Sequence, residues 1–201
     1  LNGLNNLILY TQEGLNAHRL SDVADNLKNF FWGDFCDWYL EMDKNSERSK
    51  NDDHVLAYAF TTLIKLLHPF IPFVTEELWA NFDQSKLLAL SEWPKPQTYN
   101  FNEEYNRIEI IKESISQIRA LREKAKVGIN IKIEANLESK KHENLFRDHR
   151  KLIVTLARLS QLKINEGNSE KKSDDLSSYF HETHVSIGAS LIDRGKEIDI
   201  I

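Results

Sequence analysis

Apolar residues recur at steps of three and four through the first half of the 201-residue chain, which is the spacing of amphipathic helices. A first helix is predicted over about residues 4–15, with Gly14 as its weak point. The strongest prediction is a second helix over residues 21–44, because its apolar positions form one broad stripe and Ser21 can cap its first turn. That stripe consists of Val23, Leu27, Phe30, Phe31, Phe35, Trp38 and Met42.

The polar run KNSERSKNDD, residues 44–53, predicts a loop, with Asp53 as the cap of the helix behind it. That helix should end near His68, because Pro69 disfavours the α conformation in the residue before it and has no N–H to donate. Its buried face is predicted to hold Leu56, Ala59, Phe60, Leu63, Ile64 and Leu67.

A further proline begins the next predicted helix. Pro72 suits the first turn, and Glu76 and Glu77 are expected to complement the positive end of the helix dipole. Regular spacing then disappears over residues 84–100, where Pro94 and Pro96 interrupt the chain. We expect a connector there that crosses the bundle surface and is held by Trp93.

A long helix is predicted from about Glu103, with Ile108, Ile111, Ile115, Ile118 and Leu121 along one edge. After Gly128 the apolar spacing changes to two, which indicates a strand with one wet face over residues 129–135. We expect a β-α-β-β unit that ends at about residue 191. Its later parts are a helix at 145–159, a short strand at 162–164, a polar mobile loop at 167–178 and a strand at 185–191.

These elements predict a mainly α fold, in which a helical bundle is followed by a small α/β subdomain. A hydrophobic content of 41% is enough to bury a core of ordinary size. The expected divisions are residues 1–83 for the bundle, 84–102 for the connector, 103–127 for a long joining helix and 128–201 for the subdomain.

Charge and composition narrow the possible functions. The formal net charge of -5 argues against non-specific wrapping of nucleic acid, since phosphate binding depends on clustered lysine and arginine. The lone cysteine, Cys36, fits a reducing compartment, so we expect a cytoplasmic protein. No apolar run reaches the roughly 20 residues of a membrane-spanning helix, so we expect no membrane association. Because the chain starts at Leu1 without a methionine, we expect part of a longer polypeptide, and we expect a monomer.

The sequence lacks motifs for catalysis, with no glycine-rich phosphate loop, nucleophile elbow or HExxH pair, so we predict no catalytic, cofactor or metal residue. His181 and His184 would need a third ligand to hold a metal, and the favoured interpretation is a polar loop that leads into a strand. Asp37 and Glu41 could form an acid–base pair, but we favour a role as anchors for basic residues of neighbouring helices. Cys36 is interpreted as a packing residue whose neighbouring carboxylates raise its pKa.

Basic residues form three concentrations in this acidic chain. A solvated helix face explains any one of them, whereas the three together favour a surface that faces a polyanion. Six aromatic residues between Phe30 and Tyr39 could stack on bases, but they point to nearly every side of one helix, so we expect one or two at most to face solvent. The basic concentrations are Lys44, Arg48 and Lys50; Arg119, Arg122, Lys124 and Lys126; and Lys140, Lys141, Arg147, Arg150 and Lys151.

Two motifs extend the interpretation beyond these patterns. Residues 31–41, FWGDFCDWYLE, and residues 68–79, HPFIPFVTEELW, resemble the anticodon-binding region of class I aminoacyl-tRNA synthetases. The part FCDWYLE resembles the valine enzymes in particular, whereas the isoleucine and leucine enzymes share the character of the second motif. The resemblance continues through SEWP at residues 91–94 and ends at LIDRGKE, residues 191–197.

The resemblance implies the tRNA-binding part of a valyl-tRNA synthetase, an enzyme that attaches valine to its tRNA with ATP. The ATP-binding motifs HIGH and KMSKS are absent, so we expect this chain to be inactive alone and to bind no cofactor. ATP would bind a missing catalytic domain, which is an expected partner together with the valine isoacceptors of tRNA, and a C-terminal arm should follow. The alternatives are the equivalent region of an isoleucyl-tRNA synthetase and a helical protein-interaction scaffold without RNA binding.

The resemblance also implies where RNA would bind. A rigid helical bundle can hold a few side chains at its rim against the unpaired bases of a tRNA loop. The alternative for each such residue is an ordinary surface charge. We expect contacts near the anticodon stem-loop from Lys44, Arg48 and Lys50, and contacts toward the tRNA backbone from Arg119, Arg122, Lys124 and Lys126.

Overall fold

A computed structural model describes residues 1–45, 50–97, 101–128, 130–166 and 176–188 of the chain. The chain divides into two compact units, Leu1–Asn102 (unit 1) and Glu103–Ile201 (unit 2). Unit 1 is helical, and unit 2 combines helices with a four-stranded sheet, which confirms the predicted fold class. The finer division of unit 1 into bundle and connector stays a prediction. Among the described residues, no helix is both long enough and apolar enough to span a membrane.

The helices of unit 1 pack their apolar faces into one core, as their spacing predicts. Its elements are α1 (Asn2–Asn16), α2 (Leu20–Asn29), a π-helix (Phe30–Leu40), α3 (Glu41–Lys44), α4 (Lys50–Leu67), α5 (Pro72–Trp79) and a 3₁₀ turn (Leu88–Leu90). The buried side chains of the core are Leu4, Leu7, Ile8, Val23, Leu27, Phe35, Ala59, Leu63 and Leu66.

The predicted helix over residues 21–44 is continuous, but it changes type in the middle. Phe30–Leu40 forms a π-helix, whose hydrogen bonds span five residues instead of four. Phe35 stacks on Phe31 and on Tyr39, with ring centroids 5.9 and 5.7 Å apart. The aromatic run therefore forms a stacked column along the helix, with Phe35 as its buried member.

Two predicted helix caps are wrong. α2 begins one residue before Ser21, and its N-cap is Arg19, which makes no side-chain capping bond. α4 begins at Lys50, so Asp53 lies inside its first turn rather than at its cap. A carboxylate in that first turn still complements the helix dipole.

Prolines shape the corner between α4 and α5, as predicted. α4 ends at Leu67, and Pro72 is in the first turn of α5. The expected dipole role of Glu76 and Glu77 is wrong, because both lie beyond that first turn. A Glu76 carboxylate oxygen instead accepts a 2.6 Å hydrogen bond from the backbone N–H of Leu88, which fixes the chain that follows α5.

The connector after α5 returns to α1. Trp93 packs against the core of unit 1, as expected. The Asn5 side chain accepts a 3.1 Å hydrogen bond from the Gln97 N–H and donates one of 2.5 Å to the Gln97 carbonyl. The Asn5 side-chain amide therefore forms both a donor and an acceptor hydrogen bond with the Gln97 backbone, as a neighbouring strand would.

Unit 2 contains a long helix, two short helices and a mixed sheet. Its elements are α6 (Asn102–Lys124), β1 (Ile133–Glu138), α7 (Glu143–Asp148), α8 (Arg150–Leu156), β2 (Leu159–Asn165), β3 (Leu176–Phe180) and β4 (Thr183–Ile187). The strand order is β2-β1-β4-β3; β1 is parallel to β2, and the other pairs are antiparallel. The predicted edge of α6 is buried at Ile111, Ile115, Ile118 and Leu121.

The sheet differs from the predicted β-α-β-β unit. β1 begins at Ile133, later than predicted, and the predicted helix at 145–159 is two helices that meet at His149. β3 was predicted as the end of a loop: its side chains alternate between half-buried and exposed, so little apolar periodicity marks it. The predicted positions 129, 167–175 and 189–191 lie outside the described residues.

Candidate nucleic-acid interface

Four of the predicted RNA contacts lie at the carboxyl end of α6, and the structure gives them different environments. Arg119 and Arg122 are three residues apart on the helix, so their side chains share a face. Lys124 is the last residue of α6, and Lys126 lies in the turn that follows. Arg122 is buried, whereas Arg119 and the two lysines are exposed.

Arg119 and Arg122 bind carbonyl oxygens at the carboxyl end of α8. Arg119 Nη2 donates to the Leu156 carbonyl at 2.9 Å. Arg122 Nη1 donates to the carbonyls of Ala157 and Arg158 at 3.2 and 2.9 Å. The last carbonyls of a helix lack an intrahelical partner and form the negative end of its dipole, so two cations stabilise this position.

Arg122 has a structural role. Its Nη2 donates two further hydrogen bonds, to the carbonyls of Gly128 at 3.1 Å and Ile131 at 2.7 Å, and the residue is only 7% exposed. Burial, and secondly the charge of Arg158, lower the pKa of Arg122 from its ordinary value. The expectation that Arg122 contacts tRNA is therefore corrected, because a buried guanidinium that serves four carbonyls cannot reach a phosphate.

Lys124 and Lys126, which we call the α6-end lysines, are exposed, and neither forms an ion pair within the described part of the chain. Lys126 has a φ of 54°, in the left-handed region, and its N–H donates to the Glu123 carbonyl at 2.9 Å. This arrangement ends the helix and turns the chain away. Both ammonium groups are therefore available to an anion in solution.

Arg158 adds positive charge at the same place, and the sequence patterns did not single it out. It is exposed in the turn between α8 and β2, and its charge acts on Arg122. In the sequence it is an isolated basic residue, far from the RALREKAK run. Only the packing of α8 beside α6 brings it to this end of the helix.

The group after the aromatic helix is described only in part. Lys44 Nζ lies 2.6 Å from Glu41 Oε1, and the lysine side chain is 63% exposed. Glu41 therefore binds a lysine of its own helix, which corrects the expectation of a partner on a neighbouring helix. Arg48 lies outside the described residues; Lys50 begins α4, but its side chain is also outside them.

The third basic concentration is partly neutralised. Lys141 lies 3.7 Å from the Glu182 carboxylate. Arg147 forms an ion pair with Glu143, one helical turn before it. These acidic partners reduce the local positive potential, so this face is a weaker anion site than the α6-end lysines.

The histidine pair lies where a polar turn leads into β4, as interpreted from the sequence. His181 is in the turn, and His184 Nδ1 lies 3.3 Å from Glu138 Oε2 on the neighbouring strand. Within the described residues, no group of three or more His, Cys, Asp or Glu side chains could hold a metal ion.

A family model described as the anticodon-binding domain of tRNA ligase matches residues 1–137. The chain belongs to this family. The match to the anticodon-binding domain covers unit 1 and the part of unit 2 that contains α6 with both α6-end lysines. Arg158 and the α8 carbonyls that the two arginines bind lie beyond the matched residues.

Curated relatives of this anticodon-binding domain include valine–tRNA ligases. The one from Pelagibacter ubique is 34% identical over 163 residues, which are 75% of this chain and 18% of the relative. Those from Borreliella burgdorferi and Fervidobacterium nodosum are 28% and 30% identical, and cover 98% and 99% of this chain but 24% and 23% of the relatives. The resemblance to the valine enzymes is thus confirmed, and the chain spans about a fifth to a quarter of these relatives.

Proposed function

We propose that the chain is the tRNA-binding portion of a valine–tRNA ligase, the enzyme that joins valine to its tRNA with ATP. The family match over residues 1–137 carries this proposal, and the relatives supply valine as the amino acid. ATP binding and aminoacyl transfer belong to a catalytic domain elsewhere in a longer polypeptide. We also propose a cytoplasmic protein, which the lone cysteine supports, and a monomer.

The α6-end lysines supply affinity rather than base recognition. An ammonium group binds a phosphate as a point charge, and such contacts fix the position of RNA without reading its sequence. Because the whole chain carries a net charge of -5, the attraction has to be local. Lys124 and Lys126 meet that requirement since both are exposed.

Arg119 stays in the proposed contact set, whereas Arg122 does not. Arg119 is exposed although Nε and Nη2 both donate to the Leu156 carbonyl, so the guanidinium is held in place at the surface. A guanidinium fixed in this way loses little freedom when it also binds a phosphate. Arg122 is buried and binds the next two carbonyls, those of Ala157 and Arg158, so its role is structural.

Lys44, Arg48 and Lys50 remain proposed contacts to the anticodon stem-loop. The support for Lys44 is that its partner Glu41 is itself 44% exposed. Exposed ion pairs contribute only about 0–1 kcal/mol, so a phosphate can displace the carboxylate at low cost.

Binding of tRNA transcripts tests the proposal. A valine tRNA transcript is titrated with the 201-residue chain from low to moderate salt, beside an isoleucine tRNA and a valine tRNA with a replaced anticodon. We expect the valine transcript to bind most tightly and its affinity to fall steeply with salt. Equal binding of all three transcripts would contradict anticodon recognition, and preference for the isoleucine transcript would favour the isoleucine enzyme.

A second assay tests whether the chain alone lacks amino-acid activation. ATP–pyrophosphate exchange with valine should be undetectable for the chain alone, because the ATP-binding motifs HIGH and KMSKS are absent from its sequence. Active-site titration counts the active sites in the same sample. Exchange activity with as many active sites as there are chains would contradict this part of the proposal.

A further inference from the structure

An exposed apolar face follows the corner between α4 and α5. Half of the exposed large hydrophobic side chains in the described residues lie between positions 71 and 90. Phe73 is 90% exposed and Leu90 76% exposed, and Val74 and Leu87 are also more than half exposed. Single exposed apolar residues are ordinary, but Phe73 and Leu87 line one groove together with Trp79, and an apolar surface of this kind marks an interaction site. We call residues 71–90 the α5 face.

The α5 face includes a groove of about 670 Å³ between α5 and the loop after it. Trp79 Nε1 donates to the Lys86 carbonyl at 3.0 Å, and the Asp83 carboxylate accepts from the Ser85 N–H at 2.9 Å. With the bond from Leu88 to Glu76, these contacts fix the loop at three points. A surface held in this way needs little ordering when a partner binds.

Charge on the α5 face favours a protein rather than an RNA. Three carboxylates line the groove, those of Glu76, Glu77 and Asp83, against the single ammonium group of Lys86. Hydrogen bonds from the hydroxyl and the backbone N–H of Ser85 lower the pKa of Asp83 from its ordinary value. Phosphates are repelled from such a rim, whereas lysine or arginine side chains complement it.

We propose that the α5 face docks a segment of the same ligase polypeptide, from outside these 201 residues, that presents apolar side chains flanked by lysine or arginine. The inference rests on the proposed function, because it requires a longer polypeptide. The relatives supply the reason for this occupant: the chain covers 18–24% of their length, so most of such a polypeptide is available to cover the face. A covalently linked segment also has a high effective concentration at the face.

Photo-crosslinking in the full-length polypeptide tests the inference. The photo-crosslinker p-benzoylphenylalanine is placed at Phe73, and a matched control protein carries it at Trp32, which is 58% exposed on the π-helix. We expect the Phe73 position, and not the Trp32 position, to crosslink within the polypeptide to a peptide outside this chain. That peptide should contain apolar residues next to lysine or arginine.

Other outcomes of the crosslinking experiment overturn the inference. A crosslink to residues 103–201 would place the cover inside this chain, and one between two copies would indicate a dimer. A crosslink to tRNA, or none at all, would contradict a protein contact. Binding of valine tRNA is measured on the same preparations, so loss of the proposed function is separated from loss of this docking contact.

A stability comparison gives a second readout. Phe73→Ser should leave the Tm of the 201-residue chain unchanged, because the ring is 90% exposed there. In the full-length polypeptide the same substitution should lower the Tm of the transition that includes this domain by about 2 °C or more. Leu20→Ser, at an exposed leucine outside the α5 face, is the control and should lower neither. Equal behaviour of Phe73→Ser in both proteins would contradict docking.

Discussion

Arg122 Nη2 lies 2.7 Å from the carbonyl oxygen of Ile131, and the same guanidinium binds the carbonyls of Gly128, Ala157 and Arg158. One buried cation therefore joins the end of α6, the segment before β1 and the turn before β2. Hydrogen bonds from an ionised donor are about twice as strong as neutral ones. This residue stabilises the place where the α6-end lysines are displayed.

Replacing Arg122 by methionine should destabilise unit 2 by about 3 kcal/mol, because one buried and three part-buried carbonyls lose their donor, and a fully buried carbonyl without a donor costs about 1–3 kcal/mol. Hydrogen exchange of the β1 and β2 amides measures the loss, and their protection should fall by about 100-fold.

Lys124→Met is the matched control, since that lysine is exposed and its replacement should change stability by no more than about 0.5 kcal/mol. All four tryptophans, Trp32, Trp38, Trp79 and Trp93, lie in unit 1, so their fluorescence reports separately on that unit. Unchanged protection in the Arg122 variant would remove the structural role assigned to it.

Replacing both α6-end lysines should flatten the salt dependence of tRNA binding. We expect Lys124→Gln with Lys126→Gly to reduce the slope of log K against log salt by about 0.7–0.9 for each phosphate contact that is lost. Glycine is chosen at Lys126 because its φ of 54° is strained for other residues, so the protein should not be destabilised.

The control for that experiment removes two lysines that lie next to carboxylates. Lys141→Gln with Lys163→Gln makes the same charge change, but these lysines lie 3.7 and 3.2 Å from Glu182 and Glu134. Their removal should alter the slope less. An equal effect of the two double variants would mean that net charge, rather than the α6-end lysines, sets the affinity.

Gly14→Ala should destabilise unit 1 even though alanine is the better helix former. A Cβ atom at Gly14 would overlap the Cγ2 methyl group of Val23 on α2. Overpacking of this kind costs about 1–3 kcal/mol, more than the roughly 1 kcal/mol that alanine gains over glycine in a helix. Urea unfolding followed by tryptophan fluorescence measures the change.

Gly33→Ala serves as the comparison, because a Cβ atom there meets no atom within 4 Å apart from its chain neighbours and the backbone of its own helix. It should be neutral or stabilising by up to about 1 kcal/mol. If Gly14→Ala behaved in the same way, the close approach of α1 and α2 would be wrong.

Cys36 should react slowly with thiol reagents. Burial, and secondly the charge of Asp37, raise the pKa of this thiol. Since only the thiolate reacts, its fraction at pH 8 is smaller than in the unfolded chain, where the reaction should be several-fold faster. The reaction is followed by the absorbance of the reagent. Because Cys36 is the only cysteine in the sequence, the absorbance change reports on that thiol alone.

Asp37→Asn should lower the pKa of Cys36 and speed its reaction in the folded protein. A midpoint of the pH–rate profile at the ordinary value for a cysteine would contradict the assigned environment of Cys36.

The sequence alone was sufficient to predict the helices of unit 1 and the change from helix to strand after Gly128. Pro69 and Pro72 act on their own backbone and on the residue before them, so the end of α4 and the start of α5 can be read locally. The two aromatic and proline-rich motifs also identified the family. β3 was missed because its pairing with β4, rather than its own composition, makes it a strand.

The sequence could not separate Arg122 from the α6-end lysines, which look alike in the run RALREKAK, nor show that Gly14 allows close helix packing. Apolar periodicity is a property of side chains along a short segment, and it therefore survives in the sequence. The partners of Arg122 are backbone carbonyls, up to 36 residues away, and every residue has a carbonyl. The residue type at the acceptor position therefore does not reveal the contact. Only the folded position of α8 beside α6 decides that Arg122 is buried.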